Sequence, residues 1–472
     1  MASAADPADS GNTSERKKIL FLGESPVLPS AAAEIVRLIG NALKSSGIAG
    51  ELQQVALNHS LAVAEPKWQI WPIGPELNDR NGELTFRQIL SKFEPDVVFA
   101  FGRPGHVARA CVPAAGHSHR LILYLKLDDF RLPPAVGSLL GKADVVVTMS
   151  ECSREQVLEV VDIASAKVRV MYSPADTERF VPVSEEEKRE MRESLLPEWM
   201  PRDAFVLGWV GLNRWRKQVW VLYKVIHYLR TGKYLLCGRC GKVSLFDWDP
   251  LTRSHADETK QVSESRPGYR FDVCAHCSSA EVSVAEPLRD VFLWMHMPLD
   301  DPASAWPAHY LEWEFGVKRN EDVFYTEGYS MKAALAPEDM PTLYQLWDGL
   351  LYLSGSEGFG LPAWEAMCTG IPVVYTNYSG HAEYLNQAEA ALPVDGILQP
   401  ERKSGYWRMV ADVGEAIGAV RRLYYDRELG RRLGTNGRKF VEEYSVEKQG
   451  ARWREIFESV LQWDVVAGKP SR

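Results

Sequence analysis

A chain of 472 residues has the length of about three domains, and 46% hydrophobic with 25% charged residues is an ordinary globular composition. A net charge of −9 argues against a general polyanion binder such as a nucleic-acid protein, which is usually basic. No run approaches the ~18 apolar residues of a membrane helix; that leaves peripheral membrane contact open.

Residues 1–17 are small, polar and charged. They lack the apolar core of a secretory signal, so a disordered tail and a cytoplasmic protein are expected. The seven cysteines fit that compartment: four sit in two C-x-x-C pairs, and Cys111, Cys152 and Cys368 read as isolated buried side chains.

In chain order, residues 18–23 read as a buried strand. A helix over 31–44 follows, with Ile35, Leu38, Ile39, Ala42 and Leu43 at helical spacing. Further strands are predicted at 53–57, 69–72, 96–101, 121–127, 144–149 and 168–172, with helices around 84–93 and 151–161; Ser150 is a fitting N-cap. This alternation predicts an open parallel sheet covered on both faces, with a ligand crevice beyond the strand C-termini. The charged stretch 184–193 and residues 197–201 read as a linker.

A second sheet is predicted to begin at 205–211. After it, Arg214, Arg216 and Lys217 open a predicted helix over 220–229. Three cations at a helix N-terminus oppose the dipole, and an anion between them would offset that; a solvated basic face is the alternative. Cys237-Gly-Arg-Cys240 and Cys274-Ala-His-Cys277 each follow an apolar, aromatic lead-in, as cysteine knuckles on β-hairpins do. Four thiolates predict one tetrahedral, structural zinc in a ribbon over 234–288, with a redox pair or no metal as competing readings. The spacer exceeds the ~15–20 residues of the commonest pattern, which is harmless if the polar stretch 249–267 loops away. His255 and His276 are neighbours of the site on this reading, and a four-thiolate site has no open position for catalysis. Strands at 291–296 and 321–326 and a helix over 336–344 come next, with His296 read as a strand-end residue.

The most informative stretch is 354–372, S-G-S-E-G-F-G-L-P-A-W-E-A-M-C-T-G-I-P. It lies between apolar runs at 349–353 and 372–375, and reads as strand, glycine turn, helix, strand. Pro362 suits the first helical turn and Gly370 the stop. The amides of Phe359, Gly360 and Leu361 at that helix start form an anion site. Glu357 and Glu365 bracket it; carboxylates beside a phosphate site are expected to grip neutral hydroxyls. Phosphate plus hydroxyls suggests a nucleotide-sugar. Helices over about 410–425, 427–444 and 446–463 complete the chain. The 421–439 region holds seven basic residues, read as a solvated face.

The phrase E-G-F-G-L-P-x-x-E-A-M-x-x-G-x-P-V-V resembles the donor-site signature of retaining GT4-type glycosyltransferases with the GT-B fold. The resemblance implies two Rossmann-like domains facing a cleft, an acceptor domain (18–195) and a donor domain (196–445), with a last helix (446–472) returning to the first domain; the zinc ribbon is an insertion in the second domain, added to the family's core fold. It implies that Glu357 contacts the donor sugar's hydroxyls and Glu365 the ribose, with Gly358 to Leu361 near the diphosphate. The phrase at 211–217 resembles the family's G-R-N-x-x-R-K, which puts Lys217 and Arg216 on the diphosphate. Leu212 stands where the family has arginine, and Arg214 is the candidate substitute. Ser379, Gly380 and Glu383 resemble a helix start near the donor base, a capped helix being the alternative. Lys126 and Asp128 are candidates for a polar residue facing the sugar, against an ordinary polar loop. The first loop, 24–30, lacks the family's paired glycines.

The function so implied is retaining transfer of a sugar from a UDP-, GDP- or ADP-sugar to a glycan, lipid or small-molecule acceptor, without a catalytic metal. An epimerase or phosphorylase on the same fold, or a non-catalytic binding protein using the ribbon, are the alternatives.

Overall fold

The computed structural model describes residues 17–28, 31–57, 67–73, 79, 82–110, 119–128, 134–246, 248–249, 254–255, 273–331, 333, 335–401 and 406–466. Most of the predicted N-terminal tail, Cys111 and most of the 249–267 loop lie outside the described residues.

Two parallel sheets organise the chain. The first has seven strands in the order Gln69–Pro72, Ala49–Leu57, Lys17–Glu24, Val97–Gly102, Arg120–Leu125, Val145–Thr148, Val168–Val170. Its central strands are apolar because both faces are covered, while the edge strand Gln69–Pro72 is largely exposed. Ile19 and Phe21 face one helical layer together with Val97 and Phe99. Their neighbours Leu20 and Leu22 face the other, with Val55 and Leu90.

The second sheet has six strands in the order Val323–Tyr325, Val291–His296, Phe205–Val210, Gly349–Tyr352, Val373–Thr376, Ala391–Val394. Leu207 and Leu351 face one layer, Val206 and Leu350 the other. Between Thr231 and Val291 the chain leaves this sheet for a three-stranded antiparallel ribbon of Val243–Leu245, Tyr234–Cys237 and Val282–Val284.

One apolar cluster joins the two halves, running from Phe21 and Phe99 through Tyr172 to Phe359 and Trp364. Tyr172 lies 5.8 Å from the Phe359 ring and 6.1 Å from Trp364. The last helix, Val446–Val466, returns to the first domain. Its fully buried Trp453 meets Phe99 edge-on at 5.5 Å and Tyr124 at 4.9 Å. Gly450 lets this helix approach the first helix closely, since a Cβ there would stand 3.0 Å from that of Ala42.

Several sequence readings need correction. The supposed linker at 184–193 is a helix, Glu185–Leu195, with a full capping box between Ser184 and Glu187. It packs on the second sheet: buried Arg192 donates to the carbonyls of Leu346 and Ala204 and to Asp348, which Lys188 also contacts at 2.9 Å. Two short helices, Pro104–Ala110 and Pro134–Leu140, were not expected. Residues 410–411 end a strand of the hairpin Gly396–Pro400/Trp407–Ala411 rather than starting a helix, which begins at Val413.

Candidate active site and cysteine cluster

The strand Gly349–Tyr352 runs into the glycine turn and the helix Leu361–Cys368, with Pro362 in its first turn and Gly370 at φ 71° after its end. Gly360 has φ 93°, in the left-handed region that glycine adopts without steric cost. Gly358 is needed for a different reason: a Cβ there would lie 2.6 Å from the carbonyl oxygen of Leu127 in the facing domain. Among the described residues the amides of Phe359, Gly360 and Leu361 donate to no protein acceptor, and all three residues line a cleft of about 440 Å³ between the domains. These donors sit at the positive end of a helix dipole.

Arg216 and Lys217 arrive from the neighbouring strand Phe205–Val210. They lie on a short 3₁₀ turn, Trp215–Lys217, which Gln218 at φ 48° separates from the helix Val219–Thr231, so the cations precede the helix. That turn is fastened to the glycine turn: the Arg216 carbonyl accepts from the Gly355 amide at 2.6 Å and from Ser354 Oγ at 3.2 Å. Both cations converge on buried Glu357. Its Oε1 pairs with Arg216, with Lys217 Nζ at 2.6 Å and with Ser354 Oγ at 2.6 Å. Lys217 also donates to the Tyr352 hydroxyl at 3.0 Å.

Burial opposes charge on all three groups. For Glu357 the two cations overcome it and hold the carboxyl well below the usual range. For Lys217 burial wins, lowering the ammonium to about 8 despite Glu357. Arg216 is raised, because Glu357 and Asp128 together outweigh its desolvation.

Glu365, one turn into the helix, also lines the cleft. Its Oε2 accepts from the Tyr344 hydroxyl at 2.5 Å, and burial raises its pKa to about 7. Charged residues of the first domain, Glu34, Arg37 and Arg179, line the same end. Lys126 and Asp128 of the first domain line the cleft as well. His296 ends its strand and lines the cleft, stacked on Tyr329 at 4.1 Å; burial lowers it to about 4, so the ring is neutral near pH 7.

Other expected donor residues are placed differently. Arg214 does not replace the missing arginine at Leu212: its guanidinium turns to Asp301 at 2.5 Å and the Ala303 carbonyl, while Leu212 itself lines the cleft. Ser379 and Gly380 brace the glycine turn from behind, Ser379 Oγ accepting from the Glu357 amide at 2.9 Å and the Gly380 amide donating to the Glu357 carbonyl at 3.0 Å. Glu383 ties the domains together, accepting from the Tyr172 hydroxyl and the Cys152 amide. Tyr352, Ser354 and Tyr344 were missed by sequence reasoning; Tyr352 carries the one usable signal, as the last residue of the strand feeding the turn.

Away from the cleft, the Sγ atoms of Cys237, Cys240, Cys274 and Cys277 all lie within 4.8 Å of one another. The Cys237–Cys277 and Cys240–Cys274 pairs are 3.6 Å apart, too far for a disulfide. They are close to the ~3.8 Å edge of a tetrahedron with metal–sulfur bonds of about 2.3 Å. The Cys240 and His276 amides point at Cys237 and Cys274 Sγ at 3.4 Å, and His276 Nε2 is engaged by the Val243 carbonyl at 3.0 Å. The donor set fits zinc.

Residues 47–179 match the family model for Glycosyltransferase Family 4, and residues 324–440 the model for Glycosyl transferases group 1. Together these cover more than half of the chain, including the glycine turn and both glutamates. The chain belongs to the GT4-type glycosyltransferases of the GT-B fold. Among solved structures, sucrose-phosphate synthase from Thermosynechococcus elongatus superposes with a TM-score of 0.68 at 14% identity, covering 95% of this chain and 100% of that one. Anabaena HepE in complex with UDP and glucose gives 0.61 at 14%, covering 94% and 100%. Two curated relatives are a D-inositol 3-phosphate glycosyltransferase of Corynebacterium urealyticum and an N-acetyl-alpha-D-glucosaminyl L-malate synthase of Bacillus anthracis. The first is 23% identical over 58% of this chain, the second 28% over 27%. The chain spans 51% and 30% of the length of these curated relatives. Nothing in the family match accounts for the ribbon, which this glycosyltransferase carries between residues 231 and 291.

Proposed function

We propose that this glycosyltransferase moves a sugar from a nucleoside-diphosphate sugar to an acceptor hydroxyl with retention of configuration. The observation that carries the reading is the pairing of Arg216 and Lys217 on buried Glu357 in the same cleft that the unpaired amides of Phe359 to Leu361 line. As the bond to the sugar breaks, negative charge grows on the departing diphosphate. Two fixed cations and a helix N-terminus stabilise that charge without reorganising, the largest single contribution in many enzymes. Glu357 holds the sugar by its hydroxyls, Glu365 holds the ribose, and the leaving phosphate takes the acceptor's proton.

The complex of Anabaena HepE with UDP and glucose supports a UDP-sugar as the first donor to test. The four cysteines hold a structural zinc, whose closed thiolate set supplies folding energy rather than chemistry. Thermal-shift screening against UDP-, GDP- and ADP-sugars, followed by NMR of the product anomer, tests the reading. Stabilisation by one donor series and a retained anomer are expected. An inverted product excludes retention, release of an epimerised donor indicates an epimerase, and binding without turnover indicates a carrier.

A further inference from the structure

We propose that Asp128 is a positioning residue: it reaches across the cleft to fix Arg216 and the Gly358 amide, so the leaving-group cradle is complete only when the domains are closed. The inference rests on the glycosyl-transfer reading.

Asp128 sits just beyond the strand Arg120–Leu125 of the first domain, yet its partners are on the second. Its carbonyl oxygen accepts from Ser356 Oγ at 2.8 Å and Arg408 Nη1 at 3.4 Å. Oδ1 accepts from the Gly358 amide at 3.4 Å, and Oδ2 is 3.8 Å from Arg216 Nη2. On its own domain Lys126 balances it at 3.7 Å, one-third exposed, with Arg103 adding a weaker attraction. The side chain itself is 7% exposed, and a buried carboxylate without a cation partner is costly. Arg216 therefore stabilises Asp128 in the closed arrangement, and Asp128 in turn divides Arg216 between two carboxylates.

Geometry follows from that division. Arg216 Nη1 pairs with Glu357 and Nη2 faces Asp128, so the planar fork is held from both sides. Remove Asp128 and the guanidinium keeps Glu357 and the Ser356 carbonyl, both on Nη1, while Nη2 loses its anchor and the fork can pivot. The glycine turn loses a brace as well, because Gly358 packs so tightly on Leu127 that its amide has Asp128 as its acceptor. Diphosphate binding by the second domain's own cations and amides does not need Asp128; alignment in the transition state does. Opening the cleft disarms the cradle, which limits loss of donor to water.

The test is a double-mutant cycle with Asp128→Asn and Arg216→Gln, reading UDP affinity by calorimetry and kcat with UDP-glucose or whichever donor the screen selects. Asp128→Asn should leave the UDP dissociation constant within about threefold and lower kcat at least tenfold. In the Arg216→Gln background it should lower kcat by less than threefold, because the partner is already gone. Asp128→Glu should recover part of kcat, which a merely structural gap would not. Multiplicative losses, unchanged kcat in Asp128→Asn, or a fall in UDP affinity that accounts for the rate loss would each overturn the positioning role. A wild-type protein that neither binds nor turns over any nucleotide-sugar overturns the transfer reading itself, and this proposal with it; that outcome is visible before any variant is made.

Discussion

Lys217 is buried against Tyr352 with its ammonium lowered to about 8. Two predictions belong to it. Lys217→Ala removes charge stabilisation worth about 3 kcal/mol, roughly a hundredfold in kcat, with the thermal transition retained; unchanged turnover at saturating donor would refute the role. Because the protonated form is the useful one, kcat/KM should fall as pH rises through about 8, and a profile flat to pH 9.5 would contradict this. Glu365 gives a stability prediction. Its folded pKa of about 7 lies above the usual carboxylate value, so the folded state holds its proton more tightly. The native state then loses stability as pH rises from about 4.5 to 7. Glu365→Gln should accordingly gain thermal stability relative to wild type at pH 8 and show little difference at pH 4; a pH-independent difference would count against a neutral Glu365. Glu357, Glu365 and Lys217 were legible in the sequence because each sits in a fixed local phrase. Asp128 was legible only as a candidate polar residue facing the sugar; its hold on the other domain was not, because Ser356, its closest partner across the cleft, is 228 positions away and nothing local announces such a contact.

At the level of elements, the ribbon and the helix Glu185–Leu195 carry the next predictions. Purified protein should contain one zinc per chain. A Cys237→Ser, Cys277→Ser variant should lose it along with stability, since the ribbon's Val243 packs against Gly414 on the helix Val413–Tyr425. A variant as stable as wild type would remove the structural role. Arg192→Ala leaves Asp348 with Lys188 as its only side-chain cation among the described residues, and should cost about 3–5 kcal/mol in denaturant unfolding. The two elements also show what sequence reading can and cannot resolve. Paired C-x-x-C spacing is set by the metal's geometry and survives any context. The helix was read as linker because its residues are nearly all charged, although Ser184-x-x-Glu187 spelled out its cap; the one buried face, through Arg192, looks polar in a one-dimensional pattern. Strand periodicity did better, since strands covered on both faces leave little besides apolar residues.

For the whole molecule, the core does not respect the domain division. Tyr172, Phe359, Trp364 and Tyr444 meet where the two halves join, and the last helix binds the first domain through Trp453. Trp453→Ala should destabilise by about 3–5 kcal/mol while donor affinity, which the proposed function assigns to the second domain, changes little. An equal loss of donor binding would show that the domains do not behave separably. The sequence revealed the two-sheet architecture through strand–helix alternation, but not the mutual burial where the two halves join.

Glu357 finally carries a consequence for discrimination. By pairing with both Arg216 and Lys217 it serves as their built-in counter-ion, and a stray phosphate or sulfate would have to evict it into nothing better. A sugar nucleotide offers a trade on both sides, diphosphate for the cations and hydroxyls for the displaced carboxylate. On the proposed function the complete donor turns this lock, and simple salts lack the second tooth of the key.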